Sequence, residues 1–221
     1  MPRRKKSDVE AITLPVGTSP ETTTAKPKRL SKSEKAVAVA SDVIAQLRKR
    51  NSKLIPVLDN GYVSSSFLIN LDDPRVKKTR NNNYENEVFH VELQDILPDM
   101  MKEECRVCGL GAAIISKARL LDKVQIEGYG FEINPGYELH RDKISEGLKD
   151  VFTEDTIDKI ECAFEVDPYM ADTEEYAAAL FGAKHKEPKK RLIAIMQNIV
   201  DNGGKFLVAK ATEADWYGYS N

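Results

Sequence analysis

Residues 105–116 read Cys105-Arg-Val-Cys108-Gly-Leu-Gly-Ala-Ala-Ile-Ile-Ser116, and the fold turns on what this stretch becomes. Cys105, Cys108, Ala112 and Ile115 are spaced to share one helical face, so the pattern predicts a helix over about 104–121. Its small residues suit close approach to a neighbouring element, and a free cysteine packs as a small hydrophobe. Buried packing thiols therefore account for the whole segment. Two chemical readings stand beside that one. Cys-x2-Cys is half of a zinc knuckle, with Cys105, Cys108 and Cys162 as candidate thiolates and His90, His140 or His185 as the nitrogen donor. The same spacing also occurs in thioredoxin-type redox pairs. Gly109-Leu-Gly111 lacks the third glycine and the preceding strand of a dinucleotide fingerprint. A helix start is still a place for an anion, and Arg106, Cys108, Gly109 and Gly111 are the candidate residues for a nucleotide or phosphate there.

Outward from this segment the chain reads as α+β. Ser31-Lys-Ser-Glu34 is a capping-box pattern, and Val37, Ala40, Ile44 and Leu47 continue it as a helix to about Arg50. Residues 54–58 and 62–71 are β-rich runs around Asn60-Gly61, which predicts a hairpin with Pro56 confining the first strand to an edge. Residues 75–83 (RVKKTRNNN) form a polar, basic loop, and 84–93 is a short strand or an extended approach to a helical turn near Pro98. Residues 124–133, with Gly128 and Gly130, suggest a short strand or hairpin. Thr153 is a good N-cap for a helix over 154–166, Asp172 opens another that stops at Gly182, and 189–200 is the last helix of the body. Residues 206–209 could add a strand, followed by the aromatic end Asp215-Trp-Tyr-Gly-Tyr219. The expected fold is a helical layer centred on 104–121, 154–166 and 189–200 over a small antiparallel sheet. We expect a basic leader (1–31), one α+β domain (32–212) and an aromatic C-terminal tail (213–221).

The 221 residues carry a formal charge of −2 that hides an asymmetry. Residues 1–35 hold nine Lys/Arg against four Asp/Glu, which leaves 24 against 31 for the remainder. A leader near +5 thus precedes a body near −7. With four of the ten prolines, a Thr/Ser/Pro stretch and few apolar residues, the leader is expected to be disordered on its own. Its clusters at Arg3, Arg4, Lys5 and Lys6 and at Lys28 and Arg29, with Lys77, Lys78 and Arg80 in the basic loop, are the candidate contacts to nucleic acid or to an acidic protein surface. No run approaches the ~18 apolar residues of a membrane span, and MPRRKKSDVE leads into polar sequence, so neither export nor membrane insertion is expected. An odd count of three cysteines points to reduced thiols in a cytoplasm.

No arrangement of side chains in the sequence selects a catalytic centre. The acidic pairs Glu103/Glu104, Glu154/Asp155 and Glu174/Glu175 fall in first turns of predicted helices, where the helix dipole favours them. The three histidines are isolated, and Ser64-Ser65-Ser66 has no marked base. The expectation is a non-catalytic protein without a cofactor.

As a set, the Cys-x2-Cys-x-x-Gly-Ala segment, Phe152-Thr-x-Asp-x-x-x-x-Ile160-Glu-x-Ala-Phe164, and Arg191-Leu-x-Ala-Ile-Met196-x-Asn-Ile199 with Asn202-Gly-Gly resemble small proteins encoded by bacteriophages and related mobile elements. The resemblance covers about residues 37–207 and carries no catalytic residues. It implies an accessory product in a bacterial host cytoplasm, or a virion component, acting by binding a host or phage protein. Sequestering a small nucleotide or metal, or associating with nucleic acid through the basic arm, are the alternatives it leaves open.

Overall fold

The computed structural model describes residues 29–58, 68–69, 73–80, 87–121, 124–129, 137–138, 141–167 and 173–220. Ser31 opens helix α1 (Lys32–Arg48) through the expected capping box: the Glu34 amide donates to Ser31 Oγ, and the Ser31 amide donates to the Glu34 carboxylate at 2.7 Å. Such a cap contributes about 1 kcal/mol. The inner face of α1 buries Ala36, Val39, Ala40, Val43, Ile44 and Leu47.

The described part is mostly helical, with a two-stranded parallel sheet among its principal helices. Strand β1 (Leu54–Pro56) pairs in parallel with the strand at Cys105–Val107. The hairpin expected from residues 54–58 and 62–71 is corrected accordingly, and its turn at Asn60-Gly61 lies outside the described residues. The physical reason is local. The Ser52 hydroxyl bonds both the N–H and the C=O of Leu54, and Pro56 has no N–H to give, so one side of β1 is occupied and its other side takes the partner strand. Among the described residues, the strand that holds Pro56 has one neighbour. Strand β2 (Leu68–Ile69) is very short. The helical layer does not rest on one antiparallel sheet as expected, because the strands packed against α1 and the later core helices are this parallel pair. A separate three-stranded antiparallel ladder joins β3 (Lys77–Arg80), β4 (Glu87–Glu92) and β6 (Gln125–Tyr129) beside helix α2 (Leu93–Met100), away from the packing of α1 on α7.

The deciding segment also differs from its expected form. Cys105–Val107 is strand β5, with Cys105 and Val107 buried and Arg106 exposed in the alternation of a strand. Helix α3 (Gly109–Leu120) starts only after Cys108, which is its N-cap. The helical spacing of Cys105 and Cys108 was therefore incidental: Val107 sits in the ladder with Pro56, and the turn into α3 falls between the two thiols.

After β7 (Tyr137–Glu138), helix α4 (Arg141–Leu148) leads to α5 (Glu154–Glu165), α6 (Thr173–Ala183), α7 (Pro188–Asp201) and α8 (Glu213–Ser220). Thr153 caps α5 as expected, accepting from the Thr156 amide. Residues 206–209 form no strand. Their place is taken by an extended segment held to α7, in which Phe206 is buried and stacks edge-on with Phe181 at 5.3 Å. The aromatic tail is helical from Glu213 to Ser220, and Trp216 packs on a small cluster of Tyr176, Ala177 and Ala211.

One buried core joins α1, α3, α5 and α7, with Leu47, Ile114, Ile115, Phe164, Leu192 and Ile195 among its members. Helix α5 crosses α6 closely: a Cβ added at Gly182 would stand 1.7 Å from the Ala163 carbonyl oxygen. Small residues at Ala163, Ala178, Ala179 and Gly182 are what allow it.

Candidate functional site

Strand β5 delivers the chain to the start of α3, so Gly109-Leu-Gly111 does follow a strand, contrary to the expectation, and the residues there are spent on closing the helix start. The Cys108 Sγ accepts from the Gly111 amide at 3.3 Å, taking the place that a Ser or Asp oxygen holds in most caps. Burial pushes the Cys108 thiol up to about 12. The Glu165 and Glu161 carboxylates add to the rise, and the amides of Gly111 and Leu110 only partly oppose it. Burial likewise raises Cys105 to about 11. Both groups are thiols at neutral pH, whereas a nucleophile or a metal ligand must be a thiolate.

The two glycines at this helix start face protein. A Cβ at Gly109 would meet Phe164 at 3.1 Å and Ile160 at 3.4 Å, and one at Gly111 would meet Val107 at 3.3 Å. Close packing of α3 on α5 explains why glycine stands at 109. Arg106 lies exposed on β5 in the ladder position opposite Ile55, while Cys108 turns its sulfur to the α3 amides. Cys162 is buried on α5. Among the described residues, no three His, Cys, Asp or Glu side chains gather as a metal site. His140 lies outside the described residues.

Among the described residues the basic candidates lie on separate elements. Arg3, Arg4, Lys5, Lys6 and Lys28 lie outside the described residues, and Arg29 is exposed just ahead of α1. Lys77 is exposed on β3, in register with His90; Lys78 and Arg80 occupy the same strand opposite Phe89 and Glu87. Their neighbour Arg75 is committed. It binds the Asp73 carboxylate, reaches Asp99 at 2.8 Å and donates to the Asp95 carbonyl at 2.5 Å, and it holds Asp73 down to about 2.

No protein-family model, curated protein or solved structure matches this chain. The structure itself carries the functional argument.

Three groups to which the sequence assigned no role organise the surface around this core. Arg191 is buried: its Nε donates to the carbonyls of Gly182 (3.1 Å) and His185 (3.0 Å) and its Nη1 to that of Phe164 (2.6 Å). One guanidinium thereby caps the carbonyl ends of α5 and α6, where the helix dipoles favour a cation. Lys117 on α3 is also buried and donates to Asp150 at 2.5 Å and to the Gly147 carbonyl at 2.6 Å, while Lys35 on α1 reaches the other Asp150 oxygen at 2.8 Å. Around the α6–α7 turn, Lys184, Lys186, Lys189 and Lys190 all face solvent. A buried Arg and Lys look in sequence like ordinary surface cations, since only the fold reveals which carbonyls they meet. The run Lys184-His-Lys-Glu-Pro-Lys-Lys-Arg191 was visible as a charge run. No helix in the described part is long and apolar enough to cross a membrane.

Proposed function

We propose that this chain is a non-catalytic accessory protein of a bacteriophage or related element, acting in the host cytoplasm or in the virion by binding a host or phage protein. The observation that supports a binding role is the use of the deciding motif: Cys108 caps α3 with its sulfur, and Gly109 lets Phe164 of α5 sit against the helix. The residues with the most chemical promise in the sequence are occupied in holding helices together. The second support is the charge split, residues 1–35 near +5 ahead of a remainder near −7, which suits a leader that orders against an acidic partner surface.

The test is capture from a bacterial host lysate by the full chain, with and without nuclease, beside native mass spectrometry of the purified chain. A nuclease-resistant protein held in fixed stoichiometry is the expected result. A purified chain carrying a stoichiometric zinc or nucleotide mass, with no protein retained, would overturn the reading.

A further inference from the structure

We propose that the α6–α7 turn, with the end of α8 beside it, is a binding surface for single-stranded nucleic acid. This goes beyond the protein-binding reading and stands independently of it. Residues 184–191 hold five Lys/Arg and one Glu in a body whose overall charge is negative. Arg191 is turned inward to three carbonyls, and Glu187 takes Lys190 at 2.6 Å. Lys184, Lys186 and Lys189 stay exposed, and no described hydrogen bond or ion pair engages their side chains. Lys184 and Lys186 follow the carbonyl end of α6, where a cation is favoured. Lys189 and Lys190 stand at the amide end of α7, where the dipole disfavours one and an incoming phosphate relieves the repulsion.

The second half of the surface is aromatic. Tyr219 is 50% exposed, yet its hydroxyl is tied to the carbonyl of Ala183 at 2.7 Å, the residue that precedes Lys184. A ring fixed by its hydroxyl at the edge of a lysine cluster is the combination that accepts an unpaired strand: phosphates on the ammonium groups, a base on the ring face. Duplex would satisfy the lysines alone, because its bases are stacked on one another.

Fluorescence anisotropy of the full chain against a labelled oligothymidylate of about 20 nucleotides tests this. The expected result is binding whose log–log salt slope is roughly −2 to −3, for three or four contacted phosphates at about −0.7 each. The variant Lys184→Gln/Lys186→Gln/Lys189→Gln should bind at least about tenfold more weakly. Tyr219→Ala should lose about fivefold or more, while Tyr219→Phe, which keeps the ring and drops the hydroxyl, should retain most of the affinity. All the replaced side chains are exposed, and circular dichroism checks that each variant folds. An undiminished affinity in the lysine variant would overturn the proposal and assign binding to the leader. Equal or tighter binding of a duplex of the same length, or of vesicles rich in phosphatidylserine, would overturn it in favour of a general polyanion surface.

Discussion

Asn198 on α7 pairs with Leu207 as a neighbouring strand would: its Nδ2 donates to the Leu207 carbonyl at 2.7 Å, and the Leu207 amide donates back to its Oδ1 at 2.9 Å. This side chain stands in for a strand partner along the extended segment after α7, and it keeps Phe206 turned into the core. Asn198→Ala removes both bonds, and with them the donation from Asn202 Nδ2 to the same Oδ1 at 3.2 Å, at a half-buried position, so we expect a loss of about 1–2 kcal/mol in urea unfolding. Asn198→Asp, which keeps only the acceptor, should fall between the variant and the parent.

Gly182 sets the distance between α5 and α6. An added methyl would overlap the Ala163 carbonyl, and moving the helices apart would also disturb the Gly182 carbonyl that Arg191 caps. Gly182→Ala should cost about 3 kcal/mol or more, read as a large fall in thermal midpoint or as loss of soluble protein. Gly218→Ala, in open space on α8, should be neutral or stabilising by about 0.5–1 kcal/mol.

Helix α5 ends on Val166 at φ 60° and ψ 43°, a left-handed position that glycine ordinarily fills. A β-branched side chain is strained there by about 1–2 kcal/mol. Val166→Gly should therefore raise stability by about 1 kcal/mol, checked by denaturant midpoint, even though it deletes a partly buried side chain.

Acid should unfold the protein through its paired carboxylates. Burial alone would raise Asp150, but the ammonium groups of Lys117 and Lys35 outweigh it and hold the carboxyl below the usual carboxylate range; Arg75 holds Asp73 at about 2. Groups with depressed folded values contribute stability that is fully present above their unfolded pKa and lost as pH falls through the folded one. For Asp73 that window runs from the ordinary 3.8 down to about 2. Urea midpoints at several pH values should be flat near neutrality and drop below about pH 4. Asp150→Asn should lower stability by roughly 2 kcal/mol at pH 7 and make the acid limb shallower.

The element pattern was legible where local chemistry and packing agree. Ser31 and Glu34 close a capping box, Thr153 caps α5, and Leu192, Ile195, Met196 and Ile199 line the buried face of α7, each by rules that act within a few residues. It was not legible where a partner distant in sequence decides. Leu54 and Ile55 meet Cys105 and Arg106 across some fifty residues of chain, and β-propensity favours a strand without naming its neighbour. Cys108 was read as part of a helical face because sulfur is a rare cap, so its role emerged only from the 3.3 Å contact to Gly111. Helix α4 carries few apolar residues to betray it, and α8 is anchored by contacts that Trp216 and Tyr219 make to α6 and the residues around it.

Thiol reactivity separates a structural Cys108 from a chemical one. With Cys105 at about 11 and Cys108 at about 12, the native protein should react with a disulfide reagent at pH 7.5 far more slowly than the urea-unfolded chain, in which all three thiols become accessible. Fast reaction of one thiol in the folded protein would show an activated cysteine.

The most direct test of a binding protein whose thiols serve the fold is capture by the full chain beside its Cys105→Ala/Cys108→Ser variant, under nuclease and with stoichiometry read by native mass spectrometry. Serine preserves an acceptor for the Gly111 amide, so the variant should fold. The account predicts the same nuclease-resistant protein, in the same ratio, on both. Loss of the captured protein from a variant that remains folded, or a metal or nucleotide mass present on the parent and absent from the variant, would contradict it.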